Sequence, residues 1–240
     1  MKFTSLFFLL GLLSFSVMVM ATDLPSRIEI KYAVTTDIGE GEIDEVMEIK
    51  HIEGKAHYSI NSKAQAIGMF KLIEPNSIIR HSEGFITQQG LRPVRAYEKR
   101  GQKKPSVAEF DWKNHVITLH HQGHHTKEVM PDGTLDRLSM SYNFMFTGLP
   151  KHHVERHIAT GDTLQLSRYA ITKEILDTPI GKMETVVLTR QEEKHSKLKR
   201  KLWLALNNHM LPVRIVSVED NGREIEKMVT EVNVSYKTEH

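Results

Sequence analysis

The sequence predicts a mainly β protein: a single antiparallel meander that forms a barrel or half-barrel, with one main α-helix packed on its concave side. Apolar and polar residues alternate along many short segments, which is typical of half-buried strands. Turn residues such as glycine, asparagine and proline separate those segments at short intervals. One long segment has helical periodicity instead. Together these observations favour a curved sheet that covers one helix.

The predicted strands follow one another in two runs, before and after the helical segment. The first strand places Ile28, Ile30 and Tyr32 at alternate positions. Strands are predicted within residues 28–34, 43–49, 58–60, 76–87, 94–100, 107–112, 115–121 and 124–130, and then within 164–173, 183–190, 197–206, 212–219 and 224–236. Residues 64–72 lack strict alternation, so their conformation stays open. The polar residues 151–162 are interpreted as an exposed connection.

The helical segment runs from Thr134 to Leu149. Its apolar side chains recur at three- and four-residue steps on one face: Leu135, Leu138, Tyr142, Met145 and Leu149. Thr134 is predicted to cap the start, Asp136 to favour the positive end of the helix dipole, and Gly148 to end the helix. The candidate surface for an apolar ligand on this helix consists of Leu138, Tyr142, Met145 and Phe146.

Residues 1–21 are typical of a secretory signal peptide. Lys2 precedes an apolar run, and Val19 and Ala21 occupy the two positions that signal peptidase recognises. We expect cleavage after Ala21, export to the periplasm of a Gram-negative bacterium, and no stable membrane span afterwards. An uncleaved membrane anchor is the alternative, because the run approaches the ~20 apolar residues that cross a bilayer. Residues 22–240 are predicted to form one β-rich domain.

The composition excludes several classes of protein. The sequence has no cysteine, which rules out disulfides and the lipid-attachment cysteine of a bacterial lipoprotein. The formal net charge of +2 creates no strong overall field, so no nucleic-acid partner is expected. No glycine-rich phosphate loop occurs, and Ser139 lies within the helix rather than at a nucleophile elbow. We therefore predict no cofactor.

Short motifs in a fixed order carry a family resemblance. They are Arg80-His-Ser-Glu-Gly84, Gly90-Leu-Arg-Pro93, Phe110-Asp-Trp112, Leu135-Asp-Arg-Leu-Ser139, Thr178-Pro-Ile-Gly181, Leu202-Trp-Leu-Ala205 and Leu211-Pro-Val-Arg214. This succession resembles the bacterial family called domain of unknown function 3108, across nearly all of residues 22–240. The resemblance implies an exported, β-rich envelope protein and supplies no catalytic residues. A more distant analogy is to lipoprotein-sorting envelope carriers, in which a curved sheet holds acyl chains.

Histidine is abundant, with 14 residues. On a hairpin, His120 would face His125 and His121 would face His124, because these residues straddle a turn. Paired neutral imidazoles can hold Zn²⁺ or Cu²⁺. Candidates for further ligands are His115, His152, His153 and His157. Solvated histidines without a metal, or a sensor of acid pH, are the alternatives.

Charged residues near the apolar motifs predict structural ion pairs. Glu83, Asp111 and Asp136 are the carboxylates, and Arg80 and Arg137 are their candidate partners. Such a pair would fix the helix to the sheet. Acid or base catalysis by these carboxylates is the alternative interpretation.

These observations favour a non-catalytic exported protein. It would bind or carry an apolar envelope component, such as a lipid or acyl chain, or act as a scaffold for another envelope protein. The alternative is a metal-dependent or acid/base hydrolase of cell-envelope material, which the histidine segment beside Asp111 and Asp136 motivates. The sequence also has a basic run, Lys194, Lys197, Lys199, Arg200 and Lys201, which could meet phosphate or carboxylate head groups at a membrane surface. The alternation of Lys197, Lys199 and Lys201 favours a solvated strand face or a protected sheet edge instead.

Overall fold

A computed structural model describes residues 24–150, 153–191, 199–218 and 222–237. The predicted signal peptide, the candidate ligand His152 and the basic residues Lys194 and Lys197 lie outside the described residues. Within these described residues fifteen strands form one sheet, which confirms the prediction of a mainly β protein. None of the helices among the described residues is long and apolar enough to span a membrane.

The first half of the chain is a meander in which each strand pairs with the next. Its strands are β1 Arg27–Thr36, β2 Gly39–Ile52, β3 Lys55–Ala66, β4 Ile78–Thr87, β5 Gly90–Arg100, β6 Ser106–Asp111, β7 Val116–His121 and β8 His124–Val129. A short helix, α1, Phe70–Ile73, lies between β3 and β4, in the passage whose conformation the sequence left open.

The second half returns along the other side of β1. Its strands are β9 Leu135–Asp136, β10 His153–Ala159, β11 Leu164–Thr178, β12 Gly181–Arg190, β13 Lys199–Ala205, β14 Pro212–Val218 and β15 Glu224–Ser235. The stretch predicted as an exposed connection contains β10, so that prediction is wrong. Val154 and Ile158 are buried there, and the strand pairs with β11. Histidine and charged residues between these apolar positions hide the strand pattern in the sequence.

The strand order is β8-β7-β6-β5-β4-β3-β2-β1-β15-β14-β13-β12-β11-β10-β9. All described pairs are antiparallel except β9 with β10. The sheet is not closed, since β8 and β9 are its edges, so of the two predicted forms, barrel and half-barrel, the closed barrel does not form. β9 nevertheless lies close to β5. Gly161, after β10, packs so tightly on Ser106 that a Cβ atom would clash there. The sheet therefore curls back toward itself without closing.

One face of the sheet forms the core. On β1, Ile28, Ile30 and Tyr32 are each only 1% exposed, because strand geometry turns alternate side chains to the same side. The hydroxyl of Tyr32 donates to the backbone carbonyl of Pro212, at 2.8 Å, on the other half of the sheet. Apolar burial and this contact hold the two halves together.

The segment predicted as one helix from Thr134 to Leu149 forms shorter elements. Leu135 and Asp136 make β9, and α2, Arg137–Tyr142, and α3, Phe144–Thr147, follow it. The prediction of one main helix is therefore wrong. The physical reason is tertiary: the backbone of β9 pairs with Ile158 and Ala159 of β10 instead of beginning a helix.

The start of α2 depends on Asp136 rather than on Thr134. The Asp136 carboxylate accepts hydrogen bonds from the backbone N–H groups of Leu138 and Ser139, at 2.8 and 3.1 Å. Thr134 donates its hydroxyl to the carbonyl of Pro131 instead, at 2.6 Å. Gly148 ends α3 at a φ of 64°, a left-handed conformation that glycine adopts readily, which confirms its predicted role.

Candidate functional site: a basic cavity inside the sheet

The segment of α2 and α3 lies against the buried face of the sheet and contacts both of its halves. The Tyr142 hydroxyl donates to the Glu45 carboxylate on β2, at 2.7 Å. On the opposite half, Arg200 of β13 donates to the Ser141 hydroxyl, at 3.2 Å. The short helix α2 thus bridges strands that are far apart in the strand order.

A buried carboxylate fixes α2 to the sheet, but no arginine takes part. Asp136 accepts hydrogen bonds from the hydroxyls of Ser82 on β4 and Ser139 on α2, at 2.6 and 2.7 Å. Burial raises the pKa of Asp136, and the bonds from Ser82 and Ser139 oppose that rise. The hydroxyls of Ser82 and Ser139 therefore hold the carboxylate that fixes α2 to the sheet, a role that was predicted for an arginine.

The other predicted ion-pair residues have different partners from those expected. Arg80 pairs with Glu98 of β5, at 2.5 Å. Glu83 lies 3.4 Å from the ring of His81, and Asp111 accepts a hydrogen bond from the Asn114 amide, at 2.7 Å, in the turn after β6. Arg137 forms no ion pair within the part of the chain that the structure describes. The predicted pairing among these residues is therefore wrong.

The strand register directs several cations toward the buried face. Residues directly opposite each other in antiparallel strands point to the same face of a sheet. Arg200 lies opposite Ser217, Lys227 lies opposite Ile215, and Arg190 of β12 lies opposite the buried Tyr169. These cations come from strands β12, β13 and β15, at positions that apolar residues would normally occupy.

These side chains surround a cavity of about 230 Å³, called here the basic cavity. The cations that line it are Arg80, Arg137, Arg190, Lys199, Arg200 and Lys227. Among the described lining residues, the carboxylates are Glu45 and Asp162. Positive charge therefore exceeds negative charge around this space.

The environment of the basic cavity disfavours the positively charged forms of two of its own side chains, Lys227 and Arg200. Burial, followed by the effect of Arg80, lowers the pKa of Lys227 to about 7, although Glu45 opposes this shift. Burial also lowers the pKa of Arg200, and Arg80 lowers it further against the opposing effect of Tyr169. Lys227 has no ion-pair partner among the residues described. An anion in the cavity would offset this repulsion.

A second cavity, called here the apolar cavity, adjoins the first. Its volume is about 360 Å³, and it shares Arg80 and Ile225 with the basic cavity. Its apolar lining residues are Val34, Ile43, Ala64, Ala66, Phe70, Ile78 and Ile225, and charged residues of both signs line the rest together with polar ones. Phe70 of α1 packs directly over Gly39, where a Cβ atom would clash with its ring. The two cavities thus lie next to each other, and apolar side chains form a larger part of the lining of the second one.

The histidine hairpin forms as predicted, and the metal site proposed for it stays a prediction. His120 is opposite His125, with ring centroids 6.0 Å apart, and His121 is opposite His124. The described residues include no group of three or more metal-ligating side chains that could hold an ion. His121 and Asp136 do line one cavity of about 270 Å³. The oxygens of Asp136 are already engaged in the hydrogen bonds of the helix cap.

The predicted ligand surface on the helix is mostly part of the core. Leu138 lines the basic cavity, but Tyr142 is fully buried, and Met145 and Phe146 pack against the core. Sequence reasoning missed Lys227, and it placed Arg200 in a basic run without predicting that this residue lines a cavity. Their signal is local: each cation interrupts a set of apolar residues at alternate positions, as Lys227 does between Ile225 and Val229.

Comparison with known proteins agrees with this architecture. Residues 27–229 match the family described as "Protein of unknown function (DUF3108)". No curated protein matches the chain. The chain is similar in fold to a β-barrel-like protein of domain of unknown function DUF1849 from Brucella abortus, with a TM-score of 0.54, 8% identity, and coverage of 88% of this chain and 99% of that one.

Two further structures are less similar. One is a domain described as an outer membrane lipoprotein-sorting protein, from Vibrio parahaemolyticus, with a TM-score of 0.26, 9% identity, and coverage of 90% of this chain and 88% of that one. The other is a DUF1329 family protein from Desulfovibrio piger, with a TM-score of 0.25, 9% identity, and coverage of 90% and 87%. The fold comparison therefore rests on the Brucella abortus protein alone. The site of the present chain is interpreted from the residues of this chain.

Proposed function

Because the chain belongs to the DUF3108 family, whose description gives no function, we propose from the site itself that it is an exported, non-catalytic protein that binds an anionic amphiphile. Its ligand would be an envelope molecule with an acyl chain and a negatively charged head group. The observation that carries this proposal is a pair of neighbouring cavities that share Arg80 and Ile225 in their linings, one rich in cations and the other partly apolar.

The charged part of the ligand is assigned to the basic cavity. Arg200 and Lys227 project there from neighbouring parts of the sheet, and their lowered pKa values reflect burial and repulsion between cations. A carboxylate or phosphate would replace that repulsion with charge-assisted hydrogen bonds, each worth about 1.5–3 kcal/mol. The chemistry of the lining thus favours an anion over a neutral lipid.

The apolar part of the ligand is assigned to the space beside Val34, Ile43 and Phe70. Removing an acyl chain from water contributes about 0.8 kcal/mol for each buried methylene group. A head group and a chain bound in adjoining cavities would therefore reinforce each other. Export, through cleavage after Ala21, would place this protein where envelope lipids are available.

The proposal is tested with protein purified from the periplasm of an expression host, its mature N-terminus read by mass spectrometry. Native mass spectrometry should detect a co-purified lipid, and added dodecanoate should raise the Tm more than its methyl ester does. Absence of bound lipid, together with no stabilisation by any fatty acid, would refute the proposal. Release of fatty acid from added phospholipid would point to hydrolysis instead.

A pair of variants on β13 separates the cavity from the general charge of the protein. Arg200→Gln should weaken dodecanoate binding by about 10-fold or more, because a buried charge-assisted contact is lost. Lys201→Gln removes the same charge from the adjacent, exposed position and should leave Kd unchanged. Equal Kd values for the two variants would show that the head group does not bind in the basic cavity.

A further inference from the structure

The short helix α1 and the residue before it expose an unusual amount of apolar side chain. Met69, Leu72 and Ile73 are 84, 82 and 70% exposed. Isolated apolar side chains on a protein surface are ordinary, but three within five residues form a local patch. These three residues are called here the α1 tip.

The fold orients the α1 tip outward by holding one neighbouring side chain inward. Phe70 is half-buried, lines the apolar cavity and packs over Gly39 of β2. No residue of α1 is fully buried. The helix is thus anchored at one position at the rim of the apolar cavity, and the α1 tip contributes little to the core.

The shape and charge of this region favour a lipid surface over a protein partner. Met69, Leu72 and Ile73 are each at least 70% exposed, so they are not enclosed in a groove that could hold a bound helix or strand. Charged residues of both signs lie near it: Lys71 and Glu74 belong to the same segment, and Lys103 and Glu42 line the apolar cavity together with Phe70. Apolar insertion into the interfacial layer of a bilayer needs only exposed apolar side chains of this kind.

We propose that the α1 tip inserts into the surface of a lipid bilayer and brings the apolar cavity to the membrane. This inference rests on the proposed function, because it supplies the route by which an amphiphile reaches the cavity beside Phe70. Since the nearby charges are mixed, insertion depends on apolar contact. Binding is therefore expected on zwitterionic phosphatidylcholine vesicles and is expected to be insensitive to salt.

The test measures co-sedimentation of the exported, processed protein with phosphatidylcholine vesicles. The variant Met69→Gln/Leu72→Gln/Ile73→Gln should lower the partition coefficient by at least about tenfold, because membrane affinity follows the apolar area that is inserted. Glutamine is a good helix former, so α1 should persist. The matched control is Ile52→Gln/Val129→Gln/Ile175→Gln, whose side chains are 49, 79 and 69% exposed at other places. It should partition like the unchanged protein.

Several results would overturn the inference. They are no partition of the unchanged protein, equal partition of both triple variants, or partition that requires anionic lipid and disappears in high salt. Dodecanoate binding in vesicle-free solution is measured in parallel, and the α1 tip variant should retain it. Loss of vesicle binding with intact dodecanoate binding separates the α1 tip from the basic cavity. Vesicle binding without dodecanoate binding would refute the proposed function alone.

Discussion

Replacing Lys227 with methionine should make this protein more stable at neutral pH. Methionine keeps the length and flexibility of the lysine side chain but has no charge to desolvate. The difference between a pKa of about 7 and the ordinary value of 10.5 corresponds to about 5 kcal/mol between the two protonation states. Because Lys227 is only half-buried, we expect an increase of about 2–4 kcal/mol in the free energy of unfolding at pH 7.

The sign of the pH dependence follows from proton linkage. The folded pKa of Lys227 lies below the unfolded value, so the unfolded chain binds more protons between pH 7 and pH 10.5. The unchanged protein should therefore gain stability from this group as pH rises through that range. The advantage of Lys227→Met should be largest below about pH 7 and should shrink toward pH 10.

Urea denaturation followed by circular dichroism at pH 6.5, 8 and 9.5 measures this difference directly. An increase of 2 kcal/mol corresponds to a rise of about 4–8 °C in Tm for a chain of this size. Lys201→Met, on the exposed face of β13, is the control and should change stability by less than about 0.5 kcal/mol. A Lys227→Met variant that is no more stable at pH 6.5, or whose advantage does not vary with pH, would refute the reasoning.

Three further substitutions test the contacts around the basic cavity by urea denaturation. Asp136→Ala should lower the free energy of unfolding by about 3 kcal/mol, because the α2 cap is lost and two hydroxyl donors are left unpaired; a loss under 1 kcal/mol would contradict this. Tyr142→Phe should lower the free energy of unfolding by about 1–3 kcal/mol, since the buried Glu45 carboxylate loses its hydrogen-bond donor. A variant as stable as the unchanged protein would disprove that contact. Burial alone would raise the pKa of Glu98, but Arg80 and Arg100 lower that pKa to about 2. The ionised Glu98 carboxylate therefore stabilises the folded protein above pH 4.5, and this stabilisation is lost as the pH falls toward 2. Glu98→Gln should therefore cost about 2 kcal/mol at pH 7 and less at pH 3, and a difference that does not narrow would exclude this role.

Local sequence patterns determined most of the strands of this protein. Alternation at Ile28, Ile30 and Tyr32 predicts β1, because a side chain's face in a strand depends only on its position. The histidine hairpin and the end of α3 at Gly148 were predictable for the same reason, since turn and cap conformations depend on neighbouring residues. The family resemblance, which the match over residues 27–229 confirms, also came from short local motifs.

Tertiary structure decided which secondary structure residues 134–149 adopt and which residues form the site. Helical periodicity there was real, but β9 forms because β10 offers a backbone partner that no local pattern reveals. The polar stretch that contains β10 was misinterpreted for a related reason, since its burial depends on β11.

The basic cavity depends on strand neighbours that are distant in the chain. Lys227 joins Arg80 and Arg200 because β15 pairs with β1 and because the sheet curls. In the sequence Lys227 interrupts an apolar pattern, Arg200 belongs to a run of basic residues and Arg80 precedes other polar residues, so nothing local links the three. Their shared electrostatic environment exists only where folding places them around one space, because interactions between charges depend on distance and burial rather than on sequence separation.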